Sequence, residues 1–177
     1  MAMRILGTDA AYRTYQMVED GPPPAIGPRA LGNDRWLRCP PVPPNDPRVQ
    51  VPPNCDLTLG MVCIDKSRTG TTTWRMLADE RFANPVGTVQ GGFLAAFADS
   101  AMGAASVTWA KDRKVFSANA EMKISFFRPA RVGSMLTCTA QVVAGGNLAA
   151  FVEAEVVDDE GKKVARASST YLLTPRS

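Results

Sequence analysis

No histidine occurs anywhere in the 177 residues. That absence removes Ser-His-Asp and Cys-His catalysis, His-ligated zinc and imidazole general bases together. Any active site here must run on carboxylate, amide, hydroxyl and backbone groups. Cysteine is scarce too. Cys39, Cys55, Cys63 and Cys138 form no C-x-x-C pair, which excludes thioredoxin-like and zinc-ribbon motifs. Four reduced thiols, mostly buried, are the expectation for a cytosolic chain. Net charge is only +3, and the basic residues form no runs interleaved with aromatics, so no nucleic-acid partner is indicated. Neither a Walker loop nor a G-x-G-x-x-G fingerprint is present, so no nucleotide-fold cofactor is expected. The start, MAMRILGTDAAYRTYQ, lacks an apolar secretory core, and the expected location is cytoplasmic.

Hydrophobic residues make up 45% of the chain, enough for one core in one domain with an extension. Proline is unevenly spread: eleven of the fourteen fall within residues 22–53. Such a stretch neither pairs in a sheet nor extends a helix. It reads as an extended or polyproline-like arm, with a short helix expected before it at 9–19. Residues 1–54 are therefore assigned to an N-terminal arm and 55–177 to a folded domain. The arm is either a loosely ordered leader or a segment that packs over the domain or a neighbouring subunit, with Leu31, Trp36 and Leu37 to bury.

Residues 84–110, NPVGTVQGGFLAAFADSAMGAASVTWA, organise the rest. Asn84-Pro85, Gly87 and Gly91-Gly92 make a turn-prone lead-in. Phe93, Leu94, Phe97, Ala98, Ala101, Met102 and Ala105 then recur at helical spacing. Asp99 falls nearly opposite Phe97, and Ala95, Ala96, Ser100, Gly103 and Ala104 let other surfaces approach closely. This pattern predicts a helix wrapped by a sheet. A membrane span of similar length fails on magnitude, because an Asp near its centre costs about 2.5–3.5 kcal/mol and Ala and Gly return little.

Residues 57–65 and 71–78 alternate as strands. Four more strands are predicted at 118–127, 134–143, 148–157 and 163–173, linked by turns at Arg128-Pro129, Gly145-Gly146-Asn147 and 158–162. On the first, Ala120, Met122, Ile124 and Phe126 share one face, and Glu121, Lys123 and Ser125 the other. Short links make neighbours antiparallel. The architecture is α+β: a curved antiparallel sheet around one long helix, with edges that invite a symmetric dimer or larger assembly.

This order of elements resembles the hotdog fold and the PaaI-type acyl-CoA thioesterases over about 57–174. The matching motifs are Asn84-x-x-Gly87-x-Val89-Gln90-Gly91-Gly92 with Asp99 nine residues after Gln90, then Phe126-Phe127-Arg128-Pro129-Ala130-x-x-Gly133. Gly145-Gly146 and a final strand ending Thr170-Tyr171 complete the set. One departure stands out: the family usually has histidine where this chain has Gln90, whose amide donates a hydrogen bond but carries no proton in turnover.

The resemblance implies a hydrolase that releases acid and free coenzyme A, with no separate cofactor. The acid at Asp99 would act as nucleophile or as general base on water. The helix N-terminus and this acid would come from different subunits of a homodimer or homotetramer. Backbone amides at Gly91 and Gly92 suit the carbonyl oxygen, because they are fixed donors at the positive end of a helix dipole. Asn84 either anchors its loop or meets the carbonyl. Asn119 stands where the family often has Ser or Thr and either orients water or is a strand-edge polar residue. Arg128 and Arg131 either meet coenzyme A phosphates or simply flank a turn. Phe93, Phe97, Met102 and Trp109 line an acyl pocket or belong to the core. The rival functions are a non-catalytic acyl-CoA-binding sensor or scaffold, a dehydratase or hydratase, which usually needs a histidine, and a structural partner docked through the arm. Neither nucleic acid nor membrane is an expected partner.

Overall fold

The computed structural model describes residues 53–111, 113 and 115–175, together with two short strands near the N-terminus. Those strands, β1 (Ala2–Leu6) and β2 (Thr14–Val18), pair antiparallel, with Ala2 opposite Val18 and Leu6 opposite Thr14. The helix expected at 9–19 is thus replaced by strand over its second half. Thr14, Tyr15 and Val18 are β-branched or aromatic and favour a pleated surface, and β1 supplies the partner. The proline-rich stretch lies outside the described residues up to residue 52.

The main unit begins with α1 (Asn54–Leu59), followed by β3 (Val62–Asp65) and β4 (Thr71–Leu77). The strand expected over 57–65 therefore holds only for its second half. Pro53 precedes the first turn of α1, and Gly60 closes it in the left-handed conformation (φ 63°), leaving too few residues for the strand to start earlier. A single 3₁₀ turn at Glu80–Phe82 then leads to α2 (Gly91–Trp109). The remaining strands are β5 (Val115–Phe126), β6 (Met135–Gly145), β7 (Ala149–Val157) and β8 (Lys163–Pro175). All four lie where alternation places them.

The six strands form one antiparallel sheet in the order β3-β4-β6-β7-β8-β5. Helix α2 packs against β4, β5, β6, β7 and β8. A sheet of that width spans about 24 Å at ~4.8 Å per strand, twice a helix diameter, so it must curl around α2 to touch it with five strands. The core accordingly surrounds the helix: Phe97, Ala98, Ala101, Met102 and Ala105 are fully buried against Met76, Leu136, Val152, Val156 and Val164. Ala and Gly at the other helix positions let the sheet close in. Among the described residues no helix is long and apolar enough to cross a membrane. Cys63 and Cys138 are buried, Cys55 is exposed, all three are free thiols, and Cys39 lies outside the described residues.

The outer strand β5 forms one edge of the sheet, and most of its side chains are exposed. It pairs with β8 in register except between Asn119 and Glu121, where Ala120 is an extra residue. This bulge re-aims the strand. Strict alternation puts Asn119 on the face of Glu121, Lys123 and Ser125. The bulge turns it inward, on the face of Ser117, which bonds Ser106 of α2.

Candidate active site

Asp99 sits midway along α2, half-buried, on the side that faces β8 and β5. Two side chains reach its carboxylate. Asn119 Nδ2 donates to Oδ1 at 2.5 Å, and the Tyr171 hydroxyl lies 2.6 Å from the same oxygen. Tyr171 is buried, with its hydroxyl also 2.9 Å from the Asp99 carbonyl oxygen. Burial, and then the Asp99 carboxylate itself, push the Tyr171 phenol well above its usual range, so it stays a neutral donor. Ser169, buried on β8, stands 2.9 Å from Asn119 Oδ1 and 2.7 Å from the Glu121 carbonyl, fixing the amide beside the bulge. Asp99 and Asn119, both singled out from the sequence, are thus brought together. Tyr171 and Ser169 were missed as site residues. The alternation of β8 puts both on its inner face, but only the fold brings them to Asp99, across 72 residues of chain for Tyr171.

The N-terminus of α2 is built by its lead-in. Asn84 Oδ1 accepts from the Val86 and Thr88 amides, and Asn84 Nδ2 donates to Thr88 Oγ1 at 2.9 Å. Both ends of this amide are committed to the loop, so Asn84 acts here as an anchor. Gly87 supplies the positive φ (78°) that the tight turn requires. The Val89 amide donates to the Ala130 carbonyl and the Gln90 amide to the Phe82 carbonyl, which docks the lead-in on two neighbours. Gln90 occupies the N-cap, exposed, and its side chain makes no capping bond. Gly91 and Gly92 are the first two helical residues. Their N–H groups have no acceptor within the helix and none among the described residues.

A cavity of about 370 Å³ opens beside these amides, lined by Thr88, Val89, Gly91, Leu94, Phe126, Phe127, Arg128, Pro129 and Ala130. Its size is at the lower end of small-molecule sites. Gly91 forms its wall where the Phe126 ring comes closest: a Cβ there would lie 3.1 Å from Phe126 Cζ. Arg128 lines this cavity, while Arg131 is exposed outside it, bridged by its backbone to Thr88. Phe93, Phe97, Met102 and Trp109 do not line it. Phe97 and Met102 are core, Phe93 stacks on Phe82 at 4.5 Å, and Trp109 packs on the far end of α2.

The two halves of the candidate site lie on one helix but apart. Eight residues separate Gly91 from Asp99, about 12 Å along the axis at 1.5 Å per residue. A single carbonyl cannot touch the amides and the carboxylate of the same α2.

Comparison with known proteins agrees with this architecture. Residues 86–165 match the family model described as Thioesterase superfamily. A phenylacetic acid degradation-related protein from Ralstonia eutropha JMP134 is 31% identical, covering 70% of this chain and 92% of that one, with a TM-score of 0.64. The Escherichia coli PaaI protein from the phenylacetic acid degradation operon is 26% identical, covering 68% and 84%, also with a TM-score of 0.64. Acyl-coenzyme A thioesterase 13 from Homo sapiens is 26% identical over 121 residues, 68% of this chain and 85% of that protein. A six-stranded antiparallel sheet closed around one long helix, with these relatives, makes the chain a member of the thioesterase superfamily, in its PaaI-type, hotdog-fold branch.

Proposed function

We propose that this protein is a cytoplasmic acyl-CoA thioesterase, hydrolysing a thioester to a carboxylic acid and free coenzyme A at a site shared between two copies of the chain. The observation that carries the reading is Asp99 held by two donors on one oxygen, on a helix whose free N-terminal amides border a cavity. The 12 Å between them supports a second copy, which would bring its own Asp99 to the amides of the first. The long exposed edge strand β5, carrying Asn119, is a suitable surface for such pairing.

The reaction then runs on the chain's own groups. The thioester carbonyl oxygen sits at the Gly91 and Gly92 amides, which take up its developing charge. One such donor is worth ~10²–10³ in rate. In the water route, Asp99 of the other copy takes one proton from water as its oxygen bonds the carbonyl carbon. The C–S bond breaks, and that proton passes to the departing thiolate. In the alternative route the Asp99 carboxylate bonds the carbonyl carbon and the C–S bond breaks, releasing the coenzyme A thiolate and leaving a mixed anhydride. Water then cleaves the anhydride, which frees the acid and the Asp99 carboxylate, and its proton goes to the thiolate. Arg128 at the cavity meets the coenzyme's phosphates. Supporting the substrate class are the acyl-coenzyme A thioesterase relatives and the lack of any imidazole that a hydratase would use.

A binding protein without turnover is the second reading, favoured by Gln90, which stands exposed and carries no proton where the family usually has histidine. The test is thiol release from short, medium, long and aryl acyl-CoAs. Hydrolysis of at least one class supports the enzyme. Binding of every class with no thiol release overturns it in favour of the sensor or scaffold.

A further inference from the structure

We infer that Tyr171 is a positioning residue for Asp99: with Asn119 it pins Oδ1 and thereby assigns the chemistry to Oδ2. This rests on the thioesterase reading above. Two donors converge on Oδ1, Asn119 Nδ2 at 2.5 Å and the Tyr171 hydroxyl at 2.6 Å, whereas Oδ2 has no partner among the described residues. A carboxylate oxygen that already accepts two charge-assisted bonds is a poor nucleophile and a poor base, because its lone pairs are engaged. The remaining oxygen keeps its lone pairs and inherits a fixed direction.

Each donor is itself held from behind. Tyr171 is buried on β8, and its ring lies against Gly103 of α2, where a Cβ would stand 3.6 Å from Cε1. The small residue at 103 lets the hydroxyl edge of the ring approach the helix, four residues from Asp99. Of the two acceptors within its reach, the carboxylate is nearer and charged, and it takes the single hydroxyl proton over the Asp99 carbonyl at 2.9 Å. The second donor, Asn119, lies beside Ser169, whose hydroxyl has both Asn119 Oδ1 at 2.9 Å and the Glu121 carbonyl at 2.7 Å within reach. The arrangement is a clamp from two strands on one oxygen of a helix residue. Its use in catalysis is entropic: displacement of a reacting group by about 1 Å can cost ~10²-fold in rate.

The test is Tyr171→Phe, which keeps the ring packing and removes the hydroxyl. The expected result is a fall in kcat of ~10–100-fold, with KM for the best acyl-CoA within about threefold of wild type. A crystal structure of the variant should show the Asp99 carboxylate rotated or in two conformers. Asn119→Ala, which removes the other donor from Oδ1, should lower kcat by a comparable ~10–100-fold. A Tyr171→Phe enzyme with kcat within twofold of wild type, or one impaired only in KM, overturns the proposal and leaves the thioesterase reading standing. Should Tyr171→Phe not fold, wild-type kcat in Asn119→Ala overturns the two-donor clamp instead. A wild-type protein that releases no thiol from any acyl-CoA overturns both.

Discussion

Asn119 Nδ2 lies 2.5 Å from Asp99 Oδ1, and this bond ties the middle of α2 to the outer strand of the sheet. It exists because a single extra residue, Ala120, turns Asn119 inward. Asn119→Ala should lower kcat by ~10–100-fold, the range for losing one hydrogen bond to a charged group. Since the residue is exposed, its Tm should move by only a few degrees, read by calorimetry beside the kinetics. Unchanged kcat would make Asn119 a strand-edge polar residue and no more.

A shared site makes a prediction that a self-contained site does not. Gly91→Pro removes one amide donor at the first helical residue, where the backbone suits proline because Gln90 before it has ψ of 133°; its Cβ, 3.1 Å from Phe126 Cζ, requires that exposed ring to shift by a few tenths of an ångström. Its kcat should fall ~10²–10³-fold. Mixed and re-equilibrated with Asp99→Asn, it should recover about a quarter of wild-type activity, because half the dimers pair the two variants and each such dimer holds one intact site. No recovery, with subunit exchange demonstrated, would mean that amides and carboxylate serve the same chain.

What was legible beforehand divides along local and non-local lines. Helix α2 and strands β5–β8 declare themselves by spacing, and the hairpin turns at Gly145-Gly146 and Gly161 are local signals. Motif spacing singles out Asp99 and the Gly91-Gly92 amides, and the family resemblance points to Asn119. Asn119 was assigned its facing only by the fold, since a bulge shifts the alternation without changing composition. Tyr171 and Ser169 look like ordinary inward residues of a last strand until β8 is laid beside β5. The short helix α1 hid inside an alternating pattern, although Pro53 before it and Gly60 after it were available signals. At the N-terminus, residues 9–19 favour a helix when taken alone, and only pairing with β1 makes β2 a strand.

Asp56 predicts a pH dependence of stability. It is buried on α1, and burial raises its pKa above the ordinary 3.8, opposed by hydrogen bonds from Ser100 and Cys55. A carboxyl whose folded value exceeds its unfolded value contributes stability that is fully present below the unfolded value and is lost as pH rises through the folded one. The urea midpoint of wild type should therefore lose ground to Asp56→Asn as pH rises from about 3.8 through the mildly acidic range. A gap between the two that stays constant with pH would show that Asp56 is charged at no cost.

Gly145 predicts a steric effect at the far end of α2. A Cβ there would lie 2.6 Å from Trp109 Cη2 and 3.1 Å from the Ala149 carbonyl oxygen. The indole cannot easily yield, with Arg113 stacked 4.2 Å from its centroid and Gly70 close behind it. Gly145→Ala should destabilise the protein by ~1–3 kcal/mol through overpacking. The same Tm as wild type would contradict the packing described here.

The most direct measurement of the central claim compares wild type with Asp99→Asn in thiol release from the best acyl-CoA. Asparagine preserves the size of the side chain and removes the charge, so neither proton abstraction nor attack remains possible. The account predicts measurable hydrolysis by wild type and a kcat at least ~10²–10⁴-fold lower in the variant, the span expected for a lost general base. Equal rates in the two proteins would contradict it, and would move the chemistry away from Asp99.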